Sequence, residues 1–208
     1  MNKHQSKKSL LPHWDGAVYS KYAAFSYEMV TRLSGWKAKL SKHALDSLEP
    51  CKTLDVGCGT GYLMNIANRK GFNITGIDPS QGMLKKAQEK YHFHSQQLVL
   101  STANEMPFDD GEFDLIIASG SLVHVPNIDE AVVEIMRVLK TGGHLRIIDH
   151  AIPVEKNIFT PLVFFFSQAS GDILHDYEGY FSKGCSMIST KTIGRAGYMQ
   201  MFDFVKND

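Results

Sequence analysis

Leu54-Asp55-Val56-Gly57-Cys58-Gly59-Thr60-Gly61-Tyr62-Leu63 is the stretch whose reading decides the fold. Thr53, Leu54 and Val56 read as the end of a buried strand, and Gly57, Gly59 and Gly61 as a tight turn. Tyr62, Leu63, Met64, Ile66 and Ala67 then open a helix with one apolar face. A strand that runs through a glycine turn into a helix is where an α/β sheet binds a nucleotide-like ligand, at the carboxyl end of its first strand. Glycine suits such a turn because backbone without a Cβ takes positive φ and lets a ligand lie against the main chain.

The flanking sequence continues in the same alternation. Residues 52–56 predict the first strand and residues 62–70 the first crossover helix, with Gly71 as its C-terminal cap. Residues 72–77 predict a second strand ending in Asp78-Pro79-Ser80, and Ser80 is a suitable N-cap for a helix over residues 81–91. Residues 97–101 form a short third strand, and Asp110-Gly111 marks a turn before a fourth strand over residues 113–118. That strand lacks alternation, as expected where both faces are buried. Residues 127–140 carry the clearest amphipathic helix, with Ile128, Ala131, Val132, Ile135, Val138 and Leu139 on its apolar stripe. Thr141-Gly142-Gly143 ends that helix, and residues 145–148 are the fifth strand, running into Asp149-His150. Strands alternating with helices imply right-handed crossovers and a parallel sheet covered on both faces.

Outside this core the pattern changes. Residues 1–12 are polar and basic and are expected to be disordered. Val18, Tyr22, Phe25, Met29 and Leu33 recur at helical spacing, as do Trp36, Leu40, Ala44, Leu45 and Leu48, with Ser34-Gly35 as the break between the two runs. In the last third, residues 160–174 read as a helix, 179–186 as a loop, 190–198 as a further helix and 199–205 as a final strand. The domain organisation expected is one α/β domain over residues 13–208: a helical lid at 13–49, a core at 50–150 and a cap at 151–208.

Composition narrows the function classes. The 208 residues hold 22 Lys+Arg and 22 Asp+Glu, a balance without the basic excess that phosphate contacts require, so nucleic acid is not the expected partner. Three cysteines, Cys51, Cys58 and Cys185, show no CxxC spacing, which suits a reducing cytoplasm better than a disulfide framework or a zinc site. No run approaches the roughly 18 apolar residues of a membrane span.

The carboxylate closing the second strand selects among nucleotide-like ligands. Asp78 lies 23 positions after Asp55, where an acidic residue accepts hydrogen bonds from ribose hydroxyls. Tyr62 stands where the dinucleotide pattern requires another small residue for close approach to a pyrophosphate. A ligand without phosphate has no such need.

Five ordered motifs agree. Leu54-Asp55-Val56-Gly57-Cys58-Gly59-Thr60-Gly61, Gly76-Ile77-Asp78-Pro79-Ser80 with Met83-Leu84 and Ala87, and Ala103-Asn104-Glu105-Met106-Pro107-Phe108 come first in the chain. Phe113-Asp114-Leu115-Ile116 and Glu134-Ile135-Met136-Arg137-Val138-Leu139-Lys140-Thr141-Gly142-Gly143 follow. Together they resemble the class I S-adenosylmethionine-dependent methyltransferases, and most closely the small-molecule branch that includes ubiquinone/menaquinone biosynthesis and sterol methyltransferases. The resemblance implies a Rossmann-like, doubly wound, mostly parallel α/β sheet with S-adenosylmethionine as cofactor.

It also assigns residues. Gly57 and Gly59 would run along the methionine moiety with Cys58 and Gly61 in the same turn, and Asp55 would lie near the ammonium. Asp78 and Pro79 would meet the ribose, Met83 the adenine, Ala103 and Asn104 the adenine's other edge, and Ser119 the sulfonium. Thr102 departs from the Asp that members often carry before the adenine loop's Ala. Methyl transfer from a sulfonium needs alignment and water exclusion, plus a base where the acceptor must lose a proton. His150 and His124, after the fifth and fourth strands, and Tyr22, on the amino-terminal helix, are the candidate bases, with Tyr19 a candidate contact to cofactor. Each of these four also reads as an ordinary packing residue. Asp149 either orients His150 or caps a loop.

Absent motifs bear on the acceptor. Ala118-Ser119-Gly120-Ser121 lacks the Asn/Asp-Pro-Pro-aromatic signature of enzymes that methylate base or glutamine nitrogens, and Ser119 stands where the metal-dependent catechol type wants a carboxylate, so no metal is expected. Residues 158–166, with Leu162, Val163, Phe164, Phe165 and Phe166 consecutive, read either as a helix buried against the sheet or a second copy, or as an apolar acceptor pocket or membrane-surface contact. With residues 199–205 taken as the sixth strand, none remain for the family's seventh, so the sheet would have six strands or complete its edge with a partner chain. The expected function is methyl transfer to a small, apolar or aromatic acceptor. A non-catalytic S-adenosylmethionine-binding protein and an NAD-dependent oxidoreductase are the alternatives.

Overall fold

The computed structural model describes residues 36–151, 172–193 and 199–208. Tyr19, Tyr22, the first lid helix and the apolar run at 158–166 lie outside these residues. By contact the chain divides into Met1–Trp36 and Lys37–Asp208, and the architecture below is that of the second unit. Helix α1 (Trp36–Ala44) leads into strand β1 (Lys52–Val56), helix α2 (Tyr62–Arg69), strand β2 (Asn73–Asp78) and helix α3 (Gln81–Tyr91). Strands β3 (Leu98–Leu100) and β4 (Phe113–Ser119), helix α4 (Ile128–Val138) and strand β5 (Leu139–His150) follow. Helix α5 (Tyr177–Phe181) and strands β6 (Cys185–Ile193) and β7 (Met199–Lys206) complete it.

The strands form one sheet in the order β3-β2-β1-β4-β5-β7-β6. β1 to β5 are mutually parallel, while β7 runs antiparallel to both β5 and β6. The chain builds β2 and β3 to one side of β1 and β4 and β5 to the other, so a crevice opens beyond the carboxyl ends of β1 and β4. The inner strands are apolar on both faces: Leu54, Ile74, Ile116, Ile117, Ala118, Leu145, Ile147 and Ile148 are wholly buried. Each large side chain so placed contributes about 1.5–3 kcal/mol relative to exposure.

Helix α4 lays Ile128, Ala131, Ile135 and Val138 on the sheet. Asp129 and Glu130 occupy its first turn, where the helix dipole favours negative charge. At its other end Lys206 Nζ donates to the carbonyls of Met136 and Leu139, at 2.6 and 2.7 Å. Ser80 caps α3 as expected, its hydroxyl accepting from Met83 N.

Two expectations are overturned. The sheet has seven strands: residues 185–193, whose first two read as the end of a loop and whose last four as the start of a helix, form β6, the final strand β7 inserts between it and β5, and residues 179–181 of that expected loop belong to helix α5. β6 is the sheet's edge and only its end residues, Cys185 and Ile193, are buried, so it carries no apolar alternation for a sequence reading to find. The helix expected over 127–140 stops at Val138, because Leu139 already pairs with Phe113. Between the Leu139 and His144 pairings β5 bulges outward through Gly142 at φ +72°, so Thr141-Gly142-Gly143 is an irregularity within a strand and not a turn before it.

Candidate active site

The glycine turn leaves β1 with Gly57, Gly59 and Gly61 all at positive φ. A Cβ on Gly57 would meet Ser121 Cβ at 2.4 Å, and one on Gly61 would meet the Phe93 ring at 2.7 Å. One on Gly59 would meet nothing within 4 Å. Two of the three glycines therefore also serve packing of the protein on itself, and Gly59 presents bare backbone to the crevice. Cys58 turns its side chain into the core against Gly76, where burial pushes the thiol pKa up.

Asp78 ends β2 within reach of the turn. Its Oδ2 accepts from Gly59 N and its Oδ1 from Ser80 N, each at 2.9 Å. Two amides thus fix the carboxylate's orientation while leaving lone pairs for a diol. Burial raises its pKa. Asp55 is buried beside it, and its Oδ2 has no hydrogen-bond partner among the described residues. Burial, and then the Asp78 charge, push Asp55 up to about 7. A buried carboxylate with an orphaned oxygen calls for a cation or donor from a ligand. An ammonium beside Asp55 and vicinal hydroxyls on Asp78 are what the methionine and ribose ends of S-adenosylmethionine present, so the residues fit that cofactor.

The remaining expected cofactor residues surround the same crevice with different degrees of commitment. Met83 and Ala103 are buried, and Pro79 and Ser119 are half-buried at the ends of β2 and β4. Thr102 pairs with Glu105 across the adenine-side loop. Asn104 turns toward α4, where its Nδ2 donates to Asn127 O at 2.6 Å. Glu134 and Arg137 hold this loop from the other side: Glu134 Oε2 accepts from Met106 N at 2.8 Å, and Arg137 donates to the carbonyls of Met106 and Phe108.

Beyond the ends of β4 and β5 lies a cluster of acids and histidines. Asp149 is buried, and its Oδ2 accepts three amides, from Ser121 (3.1 Å), Leu122 (2.8 Å) and Val123 (3.2 Å), while Oδ1 accepts from His150 N (2.9 Å). It therefore caps the loop after β4. Burial still raises its pKa to about 6, against the lowering by His150 and these amides. His150 Nδ1 lies 2.7 Å from Asp172 Oδ2, and His124 Nδ1 lies 3.8 Å from Asp172 Oδ1. Burial lowers the His124 pKa, the Asp172 charge opposing it. The Tyr177 hydroxyl is buried next to Asp149, and burial followed by the Asp149 charge pushes its pKa far up.

The structure thus brings Asp55, Gly59 and Asp78 together, and joins His124 to His150 through Asp172. Asp172, Ser121 and Tyr177 were not singled out by sequence. Asp172 falls in a segment read as helix, and no local motif marks a carboxylate whose partners lie 22 and 48 positions upstream. Among the described residues no helix is long and apolar enough to cross a membrane.

Residues 54–147 match the family model described as a methyltransferase domain. The chain is 37% identical over 142 residues to the O-methyltransferase resE of Aspergillus sclerotiorum, covering 66% of this chain and 51% of that protein. It is also 37% identical over 115 residues to the demethylmenaquinone methyltransferase of Listeria welshimeri, covering 51% of this chain and 49% of that one. The chain spans about half the length of these curated relatives. Its fold is similar to that of Haemonchus contortus phosphoethanolamine N-methyltransferase 2 solved in complex with S-adenosyl-L-methionine, with a TM-score of 0.72 at 16% identity over 93% of this chain and 59% of that one.

Proposed function

We propose that this chain, whose residues 54–147 match the methyltransferase-domain model, transfers a methyl group from S-adenosylmethionine to an oxygen of a small, apolar or aromatic acceptor. The observation that carries the donor is the orphaned Asp55 carboxylate beside Asp78 at the glycine turn. When bound, the sulfonium supplies an already activated methyl group. The chain's own residues supply the rest. Asp55 holds the ammonium and Asp78 with Pro79 the ribose, Gly57 to Gly61 give the backbone path, and Met83, Ala103 and Asn104 frame the base, with Ser119 nearest the sulfur.

Oxygen is favoured because an acceptor hydroxyl must lose a proton, and His150 has the means to take it. In the tautomer whose Nδ1 donates to Asp172 the lone pair stands on Nε2, and the buried carboxylate stabilises the imidazolium that forms. His124, on the other oxygen of Asp172, and Tyr22, on the amino-terminal segment with Tyr19, are the alternative groups for this step. The O-methyltransferase relative supports an oxygen acceptor, and the demethylmenaquinone methyltransferase relative supports an apolar, quinone-type molecule. The consecutive apolar residues 162–166 support it also, and extend it to contact with a membrane surface or a second copy of the chain. Three free thiols support a cytoplasmic setting.

Calorimetric titration with S-adenosylmethionine and with NAD tests the donor, and heat is expected with the first alone. Release of S-adenosylhomocysteine against quinols, phenols, amines and lipids tests the acceptor. Donor binding without turnover on any of them would establish a non-catalytic binding protein instead.

A further inference from the structure

Ser121 sits between the two halves of the crevice. Its Oγ donates to Val56 O at 2.7 Å, at the residue where β1 enters the glycine turn. Its Cβ occupies the space that a side chain on Gly57 would take. Its amide donates to Asp149 Oδ2, the same oxygen that gathers the amides of Leu122 and Val123. Asp149 is wholly buried, and through Oδ1 it also holds the amide of His150. A continuous set of hydrogen bonds therefore runs from the histidine at the end of β5, through Asp149 and Ser121, to the backbone on which the donor would lie.

We infer that Ser121, held by Asp149, is a positioning residue that sets the Gly57 turn and so registers the donor against the acceptor-side histidines. The inference rests on the donor reading above. Ser121 touches the turn and not the reacting atoms, so it acts through Gly57 and Gly59. A hydroxyl is needed rather than a methyl because the Val56 carbonyl points at it. A small residue is needed because Ser121 Cβ and Oγ already lie 2.4 and 3.1 Å from where a Cβ on Gly57 would stand.

Ser121→Ala keeps Cβ and removes the tether. Calorimetry should show S-adenosylhomocysteine binding weakened about five- to tenfold, as the loss of one such bond allows, with the acceptor KM unchanged and the melting temperature within a few degrees of wild type. Asp149→Asn, whose amide cannot accept on both sides, should weaken the same binding, and the double variant should be no weaker than the worse single. Wild-type affinity in Ser121→Ala, effects that simply add in the double variant, or a parallel loss of melting temperature and of both KM values would overturn the inference. A wild-type chain that binds no S-adenosylhomocysteine would instead remove the donor reading, and this inference with it.

Discussion

Asp172 Oδ2 stands 2.7 Å from His150 Nδ1, and the carboxylate is nearly withdrawn from solvent, at 5% side-chain exposure. A carboxylate so placed fixes one imidazole tautomer and supports the charge that forms when the ring takes a proton. Asp172→Asn keeps the shape but removes the charge, and its amide can present a donor to Nδ1. Its kcat on an accepting phenol or quinol is expected to fall about 10²-fold, within the usual range for a disturbed general base. His150→Ala should fall as far or further. S-adenosylhomocysteine affinity should stay at the wild-type value in both, and a kcat unchanged in both would exclude the pair from proton transfer.

Asp78 reports on the donor alone. Its two oxygens are oriented by the amides of Gly59 and Ser80, and nothing else among the described residues supplies a carboxylate at the end of β2. Asp78→Ala should weaken donor binding by about 2–4 kcal/mol, since charge-assisted hydrogen bonds to the ribose are lost and two amides are left without their acceptor. Equal affinity of wild type and variant in a titration would remove the ribose assignment.

Asp55 gives the site a pH dependence of definite sign. Burial and the Asp78 charge raise its pKa to about 7 in the folded protein. The ligand-free native state therefore keeps a proton that the unfolded chain releases near pH 4, and stability falls as pH rises from there to about 7. The full excursion is about 4 kcal/mol. Asp149, raised to about 6, adds a fall in the same direction that ends earlier. Ligand affinity moves oppositely, because an ammonium prefers the ionised carboxylate: S-adenosylhomocysteine should bind more tightly at pH 8 than at pH 6. Asp55→Asn should flatten much of both curves, chemical denaturation reading the first and calorimetry the second.

How far the sequence carried the fold depended on where burial was two-sided. β1, β2 and β4 could be read because burial on both faces gives them continuous apolar runs, and the helix at 128–138 because its apolar residues keep the helical period. β6 could not, because an edge strand exposed along Met187, Ile188, Ser189 and Thr190 has no period to show, and missing it cost the sheet its seventh strand. Asp55 and Asp78, which we propose hold the donor, could be singled out because they stand at the carboxyl ends of β1 and β2, which the motifs mark. Asp172 and Ser121 are held by tertiary contacts to β5 and β1, and Asp149 both caps the loop, through three amides on Oδ2, and holds the His150 amide on Oδ1, through bonds that no local pattern announces.

Arg146 offers a test of the fold apart from the chemistry. It is 6% exposed on β5, directly across the ladder from Asp203 on β7, and its Nε pairs with that carboxylate. Its Nη1 donates to the carbonyls of His43, Ala44 and Asp46, closing the carboxyl end of α1 onto the sheet. Desolvating the two charges offsets much of their attraction, so the intact pair adds little net stability, whereas removing Arg146 leaves the Asp203 carboxylate, 14% exposed, with the Ser189 hydroxyl at 3.0 Å but without its charge partner. Arg146→Met should therefore cost about 3–5 kcal/mol in denaturant unfolding, the carbonyls of α1 losing their donor as well. Arg146→Met combined with Asp203→Leu should recover part of that loss, since the stranded carboxylate is gone. A double variant less stable than Arg146→Met by the full cost of a second core substitution would show that Asp203 is satisfied without Arg146.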